Sequence, residues 1–322
     1  MKFEFDRPFL DFEKQISKLK SDYNLSITND EQAIELLSSI SYYDLINGYK
    51  ETVAIDEDFN GSSIEDLYFL NYIDKSIQNI LFKYSVYVEN RFKTILSYCI
   101  SANYGVDVKD YLDENLYFTK DSKNTVNNIL KSINRNHLTN PTKYYKKNHN
   151  HIPPWILFKN ISFNDSIDLF LGLDRIVQND ICSLLLSNKL NKNKSLKFVR
   201  NGLIIVRKFR NIIAHNLKFI TFKSKEEITL KDLSTIYTGT LIESFDFMES
   251  IGKNDIYAMI LSLMTLLNVR SLQINFCYDL YREIKRFKNQ DINTNRLLNL
   301  FLNITKIPNN IDDRLFKEIT KK

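Results

Sequence analysis

Between Ser63 and Tyr104 the chain contains neither glycine nor proline. Over that span Leu67, Leu70, Ile73, Ile77, Leu81, Tyr84, Val88, Phe92, Ile95 and Cys99 recur every three or four residues. This is the period of one face of an α-helix. Ser62 with Glu65, and Ser63 with Asp66, offer capping boxes at its start. The spacing predicts one very long helix, or two nearly collinear ones, whose apolar stripe must pack on other helices. The rest of the chain agrees. Seven glycines and five prolines in 322 residues leave little material for the turns of a sheet protein, so the expected class is all-α.

Phe12, Ile16 and Leu19 predict an N-terminal helix, and "TNDEQAIELLSSI" a second one capped by Asn29 or Asp30. "SYYDLINGY" follows and is expected to stop at Gly48. A polar, Asn-rich region, 107–150, should hold a helix from Lys123 to Leu138, and Pro153 and Pro154 then break the pattern. Helical spacing resumes in "WILFKNISFNDSIDLFLGL" and "DRIVQNDICSLLLS", then from near Ser195 to His215 or Asn216. "KFITFKSKEEITLKDL" allows a short hairpin or an irregular loop. Helices over Asp255–Asn268 and Ser271–Lys288 and a short closing pair complete the chain. With no repeat, linker or boundary, residues 1–322 read as a single all-α domain. Its parts are an N-terminal helical segment to about residue 60, a core at 62–288 and a C-terminal extension at 289–322.

Several function classes drop out. The opening "MKFEFDRPFLDFEK" mixes acids and bases where a leader needs an apolar run. "YAMILSLMTLLN" (Tyr257–Asn268), the longest apolar run, is about half the roughly 20 residues that span a bilayer, so a cytoplasmic protein with no membrane partner is expected. Cys99, Cys182 and Cys277 are far apart and form no CxxC pair, which suits buried core thiols better than a disulfide frame or a zinc site. Walker, GxGxxG, HExxH and GxSxG patterns are missing, and no cofactor is expected. A net charge of +5 favours an anionic partner such as RNA.

The candidate site lies in "RKFRNIIAHN" (Arg207–Asn216), which holds one of only four histidines. A helix turns by about 100° per residue, so Arg207, Asn211 and His215 share a face, with Leu203, Val206, Phe209 or Arg210, and Ile213 opposite. Arg210 stands about 140° from His215. It must reach round its own helix, or meet the histidine of a second copy in a symmetric pair, which predicts a homodimer. Histidine can act as general base or acid near neutrality, and arginine binds phosphate oxygens that gain charge in the transition state. The set suits metal-free RNA cleavage, with Asn211 orienting the imidazole or binding phosphate and Arg207 binding RNA.

In "TKYYKKNHNHIPPW", Lys143, Lys146 and Lys147 could neutralise phosphates while Tyr144 and Tyr145 stack bases; the bland alternative is a solvated loop with Trp155 anchored in the core. His149 and His151 lack acidic or cysteine companions at ligand spacing, so no metal site is expected. Arg91 reads as an i,i+4 ion-pair neighbour on the long helix rather than a phosphate contact.

The "RNIIAH" stretch resembles the Arg-Asn-x3-His signature of HEPN-fold ribonucleases, and the chain more specifically resembles the AbiF/AbiD-like abortive-infection proteins of phage defence. The blocks that carry the resemblance are "RPFLDFEKQISKLKSDYNLSI", the tyrosine block "AIELLSSISYYDLINGYK" (Tyr42, Tyr43, Leu45, Tyr49), the long helix, "PPWILFKNISFNDSIDLF" and "VRKFRNIIAHN", in that order. Two positions depart from the family pattern. Asn164 stands where glycine usually follows "SF", and Asp44 where a basic residue often precedes the leucine. The resemblance implies an all-α HEPN-like bundle with a very long central helix and added terminal helices. It also implies a metal-independent endoribonuclease with Arg210 and His215 in catalysis beside Asn211, a dimeric site, and toxin–antitoxin behaviour with a small structured RNA as controlling partner. The competing expectations are a non-catalytic RNA-binding defence protein and a protein-interaction element.

Overall fold

The computed structural model describes residues 8–135, 137–187 and 189–321. The opening "MKFEFDR" and the leader reading made on it lie outside the described residues. The helices, in chain order, are α1 (Phe12–Tyr23), α2 (Asp30–Ile40), α3 (Gly48–Val53), α4 (Ile64–Tyr104), α5 (Val108–Tyr111), α6 (Lys120–Asn134), α7 (Thr142–Asn148), α8 (Pro154–Leu157), α9 (Phe163–Gly172), α10 (Arg175–Leu186), α11 (Lys192–Ala214), α12 (Leu230–Tyr237), α13 (Ser244–Met248), α14 (Ile256–Leu267), α15 (Arg270–Lys288), α16 (Ile292–Thr305) and α17 (Ile311–Thr320). Among the described residues there is no strand, only isolated bridges, and the all-α expectation holds. "KFITFKSKEEITLKDL" is irregular up to α12, and no described helix is long and apolar enough to cross a membrane.

α4 is one continuous 41-residue helix. Ser63 caps it reciprocally: its hydroxyl accepts from the Asp66 amide at 3.1 Å and the Asp66 carboxylate accepts from its own amide at 3.4 Å. The predicted stripe is buried at every position from Leu67 to Cys99 except Ile95, where Leu96 takes the inward place because a helix drifts off a fixed repeat. Three other boundaries need correction. The helix expected at Lys123–Leu138 lies at Lys120–Asn134, and the motif helix starts at Lys192, one turn before Ser195. Gly48 does not stop the tyrosine block: Tyr43–Asn47 form a π-turn that runs directly into α3.

The contacts divide into two compact units. The first comprises the described residues of Met1–Gln78 with Glu283–Thr305. Asp11 and Asn29 cap α1 and α2 through their side chains. Tyr49 is buried and donates to the Asp74 carboxylate at 2.9 Å, while the Asn71 amide donates to the Tyr49 oxygen at 3.1 Å. Burial pushes the Asp74 carboxyl up to about 6. Tyr49 is therefore a core residue, whereas Tyr43 is exposed. Asp44 is engaged locally by the Ser41 hydroxyl at 3.1 Å.

The second unit, Asn79–Arg282 with Lys306–Lys322, carries the motif helix. Every residue of α14 is buried, so this apolar helix is a core element. The three cysteines are free and buried, and burial raises their thiols to about 11 at Cys99 and about 12 at Cys182 and Cys277. α6 and α9 meet so closely that a Cβ at Gly172 would sit 2.1 Å from the Ser122 hydroxyl. α17 is pinned by Arg314, which is 2% exposed and bonds Asp246 at 2.5 and 3.1 Å and Glu243 at 3.1 Å. Trp155 is half exposed, so the alternative that anchors it in the core does not hold.

Candidate active site on the motif helix

Asn191 caps α11 by accepting from the Lys194 amide at 3.0 Å. The helix carries seven basic side chains and no acidic one. Leu203, Val206, Phe209 and Ile212 turn into the core; of the adjacent pair, Ile212 and not Ile213 is buried. At the far end the Asn216 amide donates to Ile213 O at 3.2 Å and the Leu217 amide to Ile212 O at 3.0 Å, with Asn216 at φ 53°. This is a Schellman closure, in which Asn216 accepts the left-handed position that most side chains avoid. His215 is thereby fixed as the last residue before the reversal, with its side chain exposed. Phe209 packs on Phe219 and Phe222, ring centroids 5.7 and 4.9 Å away, and holds the returning strand of chain down.

The Arg210 side chain is engaged by α4 and by its own neighbour. Its Nη2 donates to Glu89 Oε2 on α4 at 3.3 Å, and its Nη1 to Asn211 Oδ1 at 3.1 Å. Glu89 Oε1 pairs with Lys93 Nζ at 2.7 Å, and Lys93 also donates to Ile161 O at 2.7 Å, one residue before the Ser162 cap of α9. One chain of polar contacts thus ties together the long helix, the "SF" block and the "RNIIAH" block. The Arg210 side chain is 31% exposed and that of Glu89 15%, so the pair is partly screened by protein. Arg210 Nε is buried with no hydrogen-bond partner among the described residues, leaving a donor in reserve.

Arg207 lies one turn back. Its charge acts on Asp168, whose carboxyl burial and the nearby Asp121 and Asp165 push up while Arg207 opposes them. Asn164, at the departure from the family pattern, has no left-handed backbone; its amide donates to Asp168 at 2.7 Å, so glycine is not required there.

The second predicted group stands by itself. Lys143, Tyr144, Tyr145, Lys146 and Lys147 are on α7, a short helix where an irregular segment was expected. The Tyr145 and His149 rings lie 4.5 Å apart, tilted by 30°, and Tyr144 is 54% exposed. Lys146 is already engaged by the Ile133 carbonyl. His151 pairs with Asn150, and no cluster of three or more His, Cys, Asp or Glu among the described residues could hold a metal ion.

Arg91 makes neither the expected ion pair nor a phosphate-facing site. Its Nε donates to Leu267 O at 3.0 Å and its Nη2 to Leu184 O and Leu185 O at 3.0 and 3.2 Å. It satisfies the free carbonyls at the C-terminal ends of α14 and α10. Sequence reasoning missed Glu89, Lys93 and Asn216. Glu89 and Lys93 are visible as an i,i+4 pair, and Asn216 as a left-handed cap after a periodic run.

The architecture is that of an all-helical protein whose longest apolar helix supports a basic helix ending in arginine and histidine. The chain belongs to the family of Abi-like proteins, whose pattern matches residues 35–221 and ends just past the Schellman turn. That membership associates it with abortive infection, a phage-defence response. No curated protein and no solved structure matches the chain.

Proposed function

We propose that this Abi-like protein is a HEPN-type endoribonuclease of the AbiF/AbiD kind, cutting RNA without a metal ion. The observation that supports this is the end of α11: an exposed imidazole on a fixed helix terminus, with a guanidinium five residues earlier that contacts Glu89 and Asn211. In the proposed reaction the ribose 2′-oxygen attacks the adjacent phosphorus and the 5′-oxygen leaves. The proton passes from the 2′-hydroxyl to a base and another is delivered to the 5′-oxygen, with His215 serving one of these roles. Arg210 holds the phosphate oxygens as they gain charge, Asn211 positions Arg210, and Arg207 adds a further cation. The products are a 2′,3′-cyclic phosphate and a 5′-hydroxyl. Because Arg210 is turned to α4, a histidine from a second copy is the simplest way to complete the pair, so the working form is a homodimer. A small structured RNA holds the activity in check.

Induced wild-type protein should slow growth, and His215→Ala or Arg210→Ala should relieve it, with in vitro cleavage falling about 10²–10⁴-fold. Equal toxicity of the alanine variants, or complete inhibition of cleavage by EDTA, refutes the assignment. A second reading, an RNA-binding protein that does not cut, is favoured by one fact: Arg210 already has a carboxylate partner, which substrate must displace. A salt-sensitive co-purifying RNA with no cleavage would select it.

A further inference from the structure

The flank of α11 away from its buried face borders a groove of about 630 Å³. One wall is Lys197 and Asn201 of α11; the other is the segment 225–231, with Lys253 and Phe247 closing the end. Four lysines face this space: Lys197, Lys225, Lys231 and Lys253. Lys253 touches only a hydroxyl, that of Ser250 at 3.1 Å. Lys197, Lys225 and Lys231 have no ion pair among the described residues. Of the two acids in the wall, Glu226 pairs with Lys208 at 2.6 Å and accepts from the Ser224 hydroxyl at 2.7 Å; against burial, which raises it, these partners hold its carboxyl below the usual range. Glu227 alone offsets the lysines.

The groove is pre-formed. The Ser224 amide donates to Asn254 O at 2.8 Å, the Ile228 amide to Lys253 O at 2.9 Å, and Asn201 Nδ2 to Glu227 O at 2.7 Å. These bonds fasten the backbone of the wall on both sides, so the positions that carry the lysines are set without a ligand. Phe247 is 43% exposed at the rim, which leaves part of an aromatic ring open to the groove. Residues 225–253 lie beyond the segment that matches the family pattern, whereas Lys197 and Asn201 lie within it.

We infer that this groove binds a single-stranded stretch of RNA, with backbone phosphates on the four lysines and a base stacked on Phe247. Unpaired lysines around a fixed concavity recruit phosphates, and an exposed aromatic among them takes a base without reading its sequence. A cleft of this volume is of small-molecule size and takes roughly one or two nucleotides of a strand, while a duplex would ride over it. Lys197 and His215 are on the same helix, so the groove and the proposed cutting site are about 27 Å apart at 1.5 Å per residue. That separation suits the ~4–16-nucleotide footprint of single-strand binders. The inference rests on the reading that RNA is the molecule handled, and it supplies a holding point remote from the chemistry.

The test uses the full chain in a His215→Ala background, so that the strand is not cut. The probe is a fluorescein-labelled oligouridylate of about 16 nucleotides, followed by anisotropy across a salt series. The pair Lys225→Ala and Lys231→Ala should weaken binding about tenfold and make the log K against log salt slope shallower by about 1.4, the value for two lost phosphate contacts on a single strand. Phe247→Ala should weaken it about fivefold with the slope unchanged. Circular dichroism and melting of the variants verify folding. Unchanged affinity and slope overturn the groove, as does an RNA duplex that binds as tightly and weakens equally, or a complete lack of binding. Cleavage by the protein with His215 intact is a separate readout, so failure of the groove and failure of the nuclease reading are told apart.

Discussion

Arg91 and Arg210 are both half-buried arginines in the same unit, and they differ in what they hold. Arg91 donates to three backbone carbonyls at the ends of α10 and α14. Those acceptors have no other partner inside a helix and cannot move without unwinding it. Arg210 donates to a carboxylate and a side-chain amide, both on flexible arms. A phosphate can replace the carboxylate in kind, whereas no ligand replaces a helix end. Identical chemistry thus serves as mortar in one place and as an exchangeable contact in the other, and the acceptor decides which.

The contrast can be broken at either end. The largest effect is expected from Arg91→Ala, which strands Leu267 O and Leu184 O, while Leu185 O keeps the Asn268 side-chain amide at 2.9 Å, and should cost about 2 kcal/mol of stability. Melting should fall by several degrees while cleavage per folded molecule persists; a melting curve like that of wild type would remove Arg91 from its structural role. Arg210→Ala should cost no more than about 1 kcal/mol, because Glu89 keeps Lys93 and the pair is partly solvated. A loss as large as that of Arg91→Ala would mean that both arginines are structural. The smallest effect sharpens the comparison: Glu89→Gln frees Arg210 for phosphate and should tighten RNA binding about threefold. Weaker binding would instead make Glu89 part of what orients the guanidinium in the complex.

The long helix was legible because periodicity is a local property, and no turn residue interrupts it from Ser63 to Tyr104. The end of the motif helix was legible to within a residue for the same reason. What stayed hidden was everything that joins distant segments. Glu89 and Arg210 are 121 residues apart, and their meeting depends on the register of α4 against α11, which no spacing rule encodes. The carbonyls that Arg91 caps leave no mark in a sequence, since every residue has one. Gly48 misled because its lack of a side chain was read as a stop, while a π-turn upstream had already absorbed the irregularity and α3 carried on. The wheel placed Asn211 beside His215 correctly as a face, but the amide turns sideways to the arginine next to it.

The clamp on α17 has a consequence for the order of events during synthesis. Asp246 is fully buried, and its charge is met by Arg314, far along the chain. A ribosome releases the motif helix well before it releases Arg314. Until then the second unit lacks the cation that balances a carboxylate in its interior, and a buried uncompensated charge opposes folding. The nascent chain therefore carries the arginine and histidine of α11 in an unfinished scaffold until the residues of α17 have left the ribosome.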